Sequence, residues 1–106
     1  MESSELKVTK ELIGEETQII LSGEIDIYTS QTFKNELNEV ISSSKGDIYI
    51  DCKDLSYIDS TGLGILVGAL KEKRKENNDI YISNLKDNIK KLFVITGLDK
   101  LFKLEE

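Results

Sequence analysis

Ile48-Tyr49-Ile50-Asp51-Cys52 alternates apolar with polar-capable side chains, the period-2 pattern of a half-buried strand. A few residues later the period changes. Leu63, Leu66, Val67 and Leu70 fall at i, i+3, i+4 and i+7, which lays one apolar stripe along a helix running from Ser60 to about Glu76. Lys71, Lys73, Arg74 and Lys75 suit the negative end of that helix. Upstream, Leu6 to Ile13 and Gln18 to Ser22 read as strands joined by a hairpin at Gly14-Glu15-Glu16. Phe33, Leu37, Val40 and Ile41 then mark an amphipathic helix from about Thr29 to Ser43, closed by Ser42-Ser43-Ser44-Lys45-Gly46. Downstream, Ile80-Tyr81-Ile82 predicts a short strand. Asn84 is placed to cap a helix carrying Leu85, Ile89, Leu92 and Phe93, and Gly97 with Leu98 supplies its stop. Leu101, Phe102 and Leu104 suggest a last strand. The order β-β-α-β-α-β-α-β predicts an α/β fold, a mixed sheet packed with helices and parallel where helices intervene.

Composition keeps this picture and narrows the chemistry. A chain of 106 residues with no linker, repeat or low-complexity segment reads as a single domain over residues 1–106. Its 39% hydrophobic and 32% charged residues suit a folded core rather than a disordered tract. The apolar runs are too short to span a bilayer and Met1 to Glu5 lacks a signal peptide's pattern, so a cytoplasmic protein that does not engage membranes is expected. The lone Cys52 reads as a small buried hydrophobe. A net charge of −6 argues against direct nucleic-acid binding. The charge is uneven: residues 1 to 60 sum to −8 and residues 61 to 106 to +2, so a basic partner surface would meet the first half.

Enzyme chemistry finds little support. The chain has no histidine, which removes the commonest general base and metal ligand, and one cysteine cannot build a thiolate zinc site. No metal, no cofactor and no catalytic residue is expected. Ile58 replaces the first glycine of a G-x-S-x-G elbow around Ser60. Gly62-Leu63-Gly64-Ile65-Leu66-Val67-Gly68 has G-x-G-x-x-x-G spacing, which is neither a dinucleotide fingerprint nor a P-loop. Its glycines read as backbone geometry at Gly62 and as close packing or partner approach at Gly64 and Gly68.

The remaining candidate is Asp59-Ser60-Thr61-Gly62-Leu63-Gly64, where a strand signal gives way to a helix signal. Ser60 falls at or next to the helix N-cap. Unpaired N–H groups and the positive end of the helix dipole converge there, so a phosphate would be accepted with little strain. The plain alternative is that the serine only caps the helix. Loops that follow parallel strands gather at one sheet edge, which brings Gly23 to Tyr28 beside Ser60 and makes Glu24, Asp26 and Asp59 an acidic rim. Asp26 could instead only cap the next turn. Ile65, flanked by Gly64 and Gly68, points away from the core stripe and is a candidate partner anchor unless a neighbouring element covers it.

The stretch from Asp54 through Ser60 to Gly64 resembles the phosphorylation-site segment of bacterial anti-sigma factor antagonists, the STAS-domain family. Gly23-Glu24-Ile25-Asp26 resembles that family's G-E-hydrophobic-D loop, and Leu92 to Leu98 its L-F-x-x-x-G-L segment. The likeness is greatest to the antagonists of the general-stress sigma-B pathway. What the resemblance implies is a STAS-type domain whose Ser60 is phosphorylated by a serine kinase that is itself the anti-sigma factor. The unphosphorylated form would bind that kinase and release the sigma factor, and a PP2C-type phosphatase would reset the switch. Glu24, Asp26, Asp59, Thr61, Gly62, Gly64 and Ile65 are the expected partner-binding residues. The alternative is a STAS scaffold subunit of a larger sensory assembly.

Overall fold

A computed structural model of the chain describes residues 5–105. Its order is β1 (Leu6–Ile13), β2 (Glu16–Ile25), α1 (Ser30–Ser43), β3 (Ile48–Ile58), α2 (Ser60–Arg74), β4 (Ile80–Ser83), α3 (Asp87–Ile95) and β5 (Lys103–Glu105), with one 3-10 turn at Leu98–Lys100. The strands form one five-stranded sheet in the order β1-β2-β3-β4-β5. The β1–β2 hairpin is antiparallel and every later pair is parallel. Gly14 takes φ 66°, which a two-residue hairpin turn needs at its first central position.

Each parallel pair is joined by a helix, and right-handed crossovers that march in one direction leave all three helices on one face. Alternation along the strands agrees. Ile19, Leu21, Ile48, Ile50, Ile80 and Ile82 are buried under the helices with Phe33, Leu37, Leu66, Leu70, Ile89 and Phe93. Gln18, Tyr49 and Tyr81 lie on the other face, half-exposed, with the two tyrosine rings stacked at 4.6 Å.

Both long strands overrun their sequence patterns. β2 ends at Ile25 and β3 at Ile58, because register shifts between Ile20 and Ser22 and between Gly23 and Glu24 break the simple alternation while still burying Ile25, Leu55 and Ile58. Asn84 does not cap α3. It adopts φ 60° as a left-handed link and its amide donates to Asp51 Oδ1 at 3.0 Å, while Lys86 holds the cap position. Gly97 does end α3, at φ 77°. Leu101 and Phe102 precede the last strand; Phe102 is drawn into the core edge-to-face on Phe93, so only Lys103 to Glu105 pair with β4.

The stripe of α2 is rotated from its expected position. Leu63, Leu66 and Leu70 are buried as expected, but Val67 is only half-buried and Ala69 and Lys73 complete the inward face. Lys73 is fully buried rather than solvated. Its Nζ donates to the Ser44 carbonyl at the end of α1, 3.0 Å away, and to Glu76 Oε1 at 3.2 Å.

Candidate functional site

The parallel pairing of β2 with β3 carries two loops to the same edge. Glu24 pairs with Tyr57 and Ile25 with Ile58, and the Asp59 N–H donates to the Ile25 carbonyl at 3.2 Å. The turn from 26 to 29 and the start of α2 are therefore neighbours, as the loop argument expected.

Asp59, not Ser60, is the N-cap. Its Oδ1 accepts from the Thr61 N–H at 3.0 Å and the Gly62 N–H at 3.1 Å, and this frees Ser60 to be the first helical residue, exposed to solvent. A cap role would have occupied the hydroxyl; here the aspartate fills that role. A group added to Ser60 Oγ would meet the positive end of the α2 dipole and, one residue away, the Asp59 carboxylate.

The neighbouring turn is tied together around Asp26 and Thr29. The Thr29 hydroxyl accepts the Asp26 N–H at 3.0 Å and donates to the Glu24 carbonyl at 2.7 Å, while Asp26 Oδ1 accepts from the Tyr28 N–H at 2.9 Å. Asp26 thus both borders the Ser60 loop and organises the turn into α1. The same turn projects Ile27 and Tyr28 outward, 70% and 61% exposed, and β3 adds exposed Tyr57. These three apolar side chains carry no helical or strand stripe, so pattern reading missed them.

Gly62 is a packing residue with ordinary φ, contrary to the backbone-geometry reading. A Cβ there would stand 2.7 Å from both Ile25 Cγ2 and Ile58 Cγ1. Gly64 and Gly68 are the reverse case: nothing lies within 4 Å of a Cβ at either. They floor a shallow groove of about 400 Å³ between α1 and α2, walled by Lys34, Asn38, Thr61, Ile65 and Ala69. Ile65 is half-buried in that wall. Lys34 and Asn38 were not singled out from the sequence, since only the packing of α1 on α2 brings them to this helix. Glu24 and Asp59 are half-buried and Thr61 is exposed. Among the described residues no cluster of side chains is suited to hold a metal ion, and no helix is long and apolar enough to cross a membrane.

The fold and this strand-to-helix junction are those of a STAS domain: that family's model matches residues 7–106, and the chain belongs to the family. Its relatives are anti-sigma factor antagonists. It is 37% identical over 89 residues to the anti-sigma-B factor antagonist of Staphylococcus aureus, covering 84% of this chain and 82% of that one. It is 38% identical over 97 residues to the anti-sigma-B factor antagonist of Listeria monocytogenes, covering 91% and 84%. Among solved structures, an anti-sigma factor antagonist from Mycobacterium paratuberculosis superposes with a TM-score of 0.84 at 25% identity, over 94% of this chain and 85% of that chain.

Proposed function

We propose that this chain is an anti-sigma factor antagonist of the sigma-B type, switched at Ser60. Unphosphorylated, it binds an anti-sigma factor serine kinase and so frees the sigma factor; phosphorylation by that kinase ends the complex, and a PP2C-type phosphatase restores it. The observation that carries this reading is the freed, exposed Ser60 hydroxyl at the start of α2, beside the uncovered Ile27, Tyr28 and Tyr57 and the glycine-floored groove.

Docking would cover the groove and the apolar side chains, with Ile65 and the open backbone at Gly64 and Gly68 admitting a close approach. Glu24, Asp26 and Asp59 give the rim its negative sign. A phosphate adds about −1.5 to −2 charge beside Asp59, and burying it in the interface without a dedicated partner costs several kcal/mol. At about 1.4 kcal/mol per tenfold in affinity, that suffices to dissolve a tight complex with no backbone movement. In the sequence of a partner switch, the chain is the substrate rather than the catalyst.

Titration calorimetry against the anti-sigma kinase tests the switch. Ser60→Ala is expected to bind as the unmodified protein does and to resist phosphorylation. Ser60→Asp is expected to bind at least about tenfold more weakly, a carboxylate being a partial phosphate mimic. Equal affinities for all three would overturn the reading. Asp26→Asn keeps an acceptor for the Tyr28 N–H while removing the charge, so a loss of affinity that shrinks as salt is added would mark the rim as part of the contact.

A further inference from the structure

We infer that this protein self-associates through the free edge of β1, two copies pairing β1 antiparallel to β1 about a two-fold axis at Thr9. β1 is the outer strand of the sheet and is 8 residues long. It contains no proline, and its register with β2 runs unbroken from Leu6↔Gly23 to Ile13↔Glu16. Of the devices that blunt an edge strand, a bulge, a proline and a short length are absent from the described β1, and charge is supplied by Lys7, Lys10 and Glu11. Of these three, the inward-facing Lys10 is not available as a guard, because its ammonium is folded onto α1 between Glu36 at 2.6 Å and Glu39 at 3.0 Å.

Backbone parity fixes which groups are free. A two-residue hairpin closes on a bonded pair, here Ile13 with Glu16, and bonded pairs recur at every second residue. The Glu24 N–H donating to the Glu5 carbonyl at 2.9 Å keeps the same parity at the other end. Leu6, Val8, Lys10 and Leu12 therefore turn their N–H and C=O groups away from the sheet. With Thr9 on the axis, Leu6 meets Leu12 and Val8 meets Lys10 of the second copy, so that free groups face free groups along the whole strand.

The side chains agree with that register. Lys7 of each copy falls opposite Glu11 of the other, giving two opposite-charge pairs at non-bonded positions, where side chains stand closest. Leu12, 66% exposed in the single chain although it lies on the helix-bearing face, is covered by Leu6 of the second copy. A shift by two residues in either direction breaks both charge pairs. The strand is thus self-complementary in sign as well as in hydrogen bonding. β2 separates β1 from the strand that leads into Ser60, so this surface is a different one from the switch.

Sedimentation velocity over a concentration series should show a monomer–dimer equilibrium for the full chain. Lys7→Glu and Glu11→Lys, each placing like charges opposite one another, should each raise the dimer dissociation constant by about tenfold, and the double exchange should restore it. Leu12→Pro removes an outward N–H that the sheet itself does not use and should abolish dimers while circular dichroism stays that of the folded protein. Thr9→Cys should cross-link to its copy under mild oxidation, since a non-bonded pair on the axis sets the two Cα atoms about 4.5 Å apart, within disulfide reach. Lys7→Cys would place its thiol opposite Glu11 and should not cross-link. A strictly monomeric protein up to its solubility limit, failure of the double exchange to rescue, or cross-linking at residue 7 in preference to residue 9 would each overturn the inference.

Discussion

Three glycines within two turns of α2 are held to different tasks, and substitution separates them. A methyl group at Gly62 collides with Ile25 and Ile58 on the sheet. Gly62→Ala should therefore destabilise by about 1–3 kcal/mol, read as a lower urea midpoint. At Gly64 and Gly68 the space is open. Gly64→Ala and Gly68→Ala should raise stability by up to about 1 kcal/mol each through helix propensity. If the groove admits a partner backbone, the same two changes weaken kinase binding while the fold gains, and that opposition of signs is the readout. Cys52 shows what burial does to a single group. Removal from water, helped by Asp51, pushes its thiol up to about 12. The folded chain then holds the proton that the unfolded chain releases at ordinary thiol pKa. Its contribution to stability is complete below pH ~8.5 and falls as pH rises toward the folded value. A thiol reagent at neutral pH should leave the native protein unlabelled and react with it in denaturant, and Cys52→Ala should flatten the alkaline loss of stability.

Between elements, the buried ammonium of Lys73 joins the end of α1 to the end of α2. Its bond to the Ser44 carbonyl spans the two helices that wall the groove, and its partner Glu76 lies just past the end of α2. Lys73→Met keeps the apolar stem but removes the donor and leaves the Ser44 carbonyl short of a partner. The expected cost is about 1–3 kcal/mol in a denaturant titration. Lys75 is the control: its bond to Glu72 is exposed on the surface, and Lys75→Ala should leave the midpoint where it was. The Asp59 cap belongs to this scale as well. Asp59→Ala should cost about 1 kcal/mol and loosen the first turn of α2, so it should also slow phosphorylation of Ser60 relative to the better-capped Asp59→Asn.

Among the described residues, one sheet face is covered by helices, while no strand pairs with the outer side of β1 and the Ser60 junction is exposed. Charge is divided along the chain, with the negative excess in residues 1 to 60 and the slight positive excess in residues 61 to 106. Binding of a basic partner surface should thus weaken steadily with salt for the unmodified protein. If dimerisation through β1 leaves the Ser60 surface clear, the Lys7→Glu variant should bind the kinase with unchanged affinity.

The sequence alone determined the element order, the mixed sheet and the junction at Ser60, because period-2 and period-3.6 stripes and the hairpin and Gly97 stops are local signals that burial then confirms. It also determined the family, through three short blocks lying in the right order. Tertiary structure decided the rest. The ends of β2 and β3 rest on register shifts between strands, which no single strand records. Asn84 looked like a cap in isolation, yet its amide is used by Asp51 on β3, and Leu101 and Phe102 looked like strand until Phe93 took the Phe102 ring into the core. Ser60 and Asp59 are adjacent cap-forming residues, and only the pairing of Asp59 with Ile25 shows which of them takes the helix N–H groups. The burial of Lys73 and the groove under Gly64 and Gly68 depend on how α1 lies against α2, a contact between residues some thirty positions apart that no window of sequence contains.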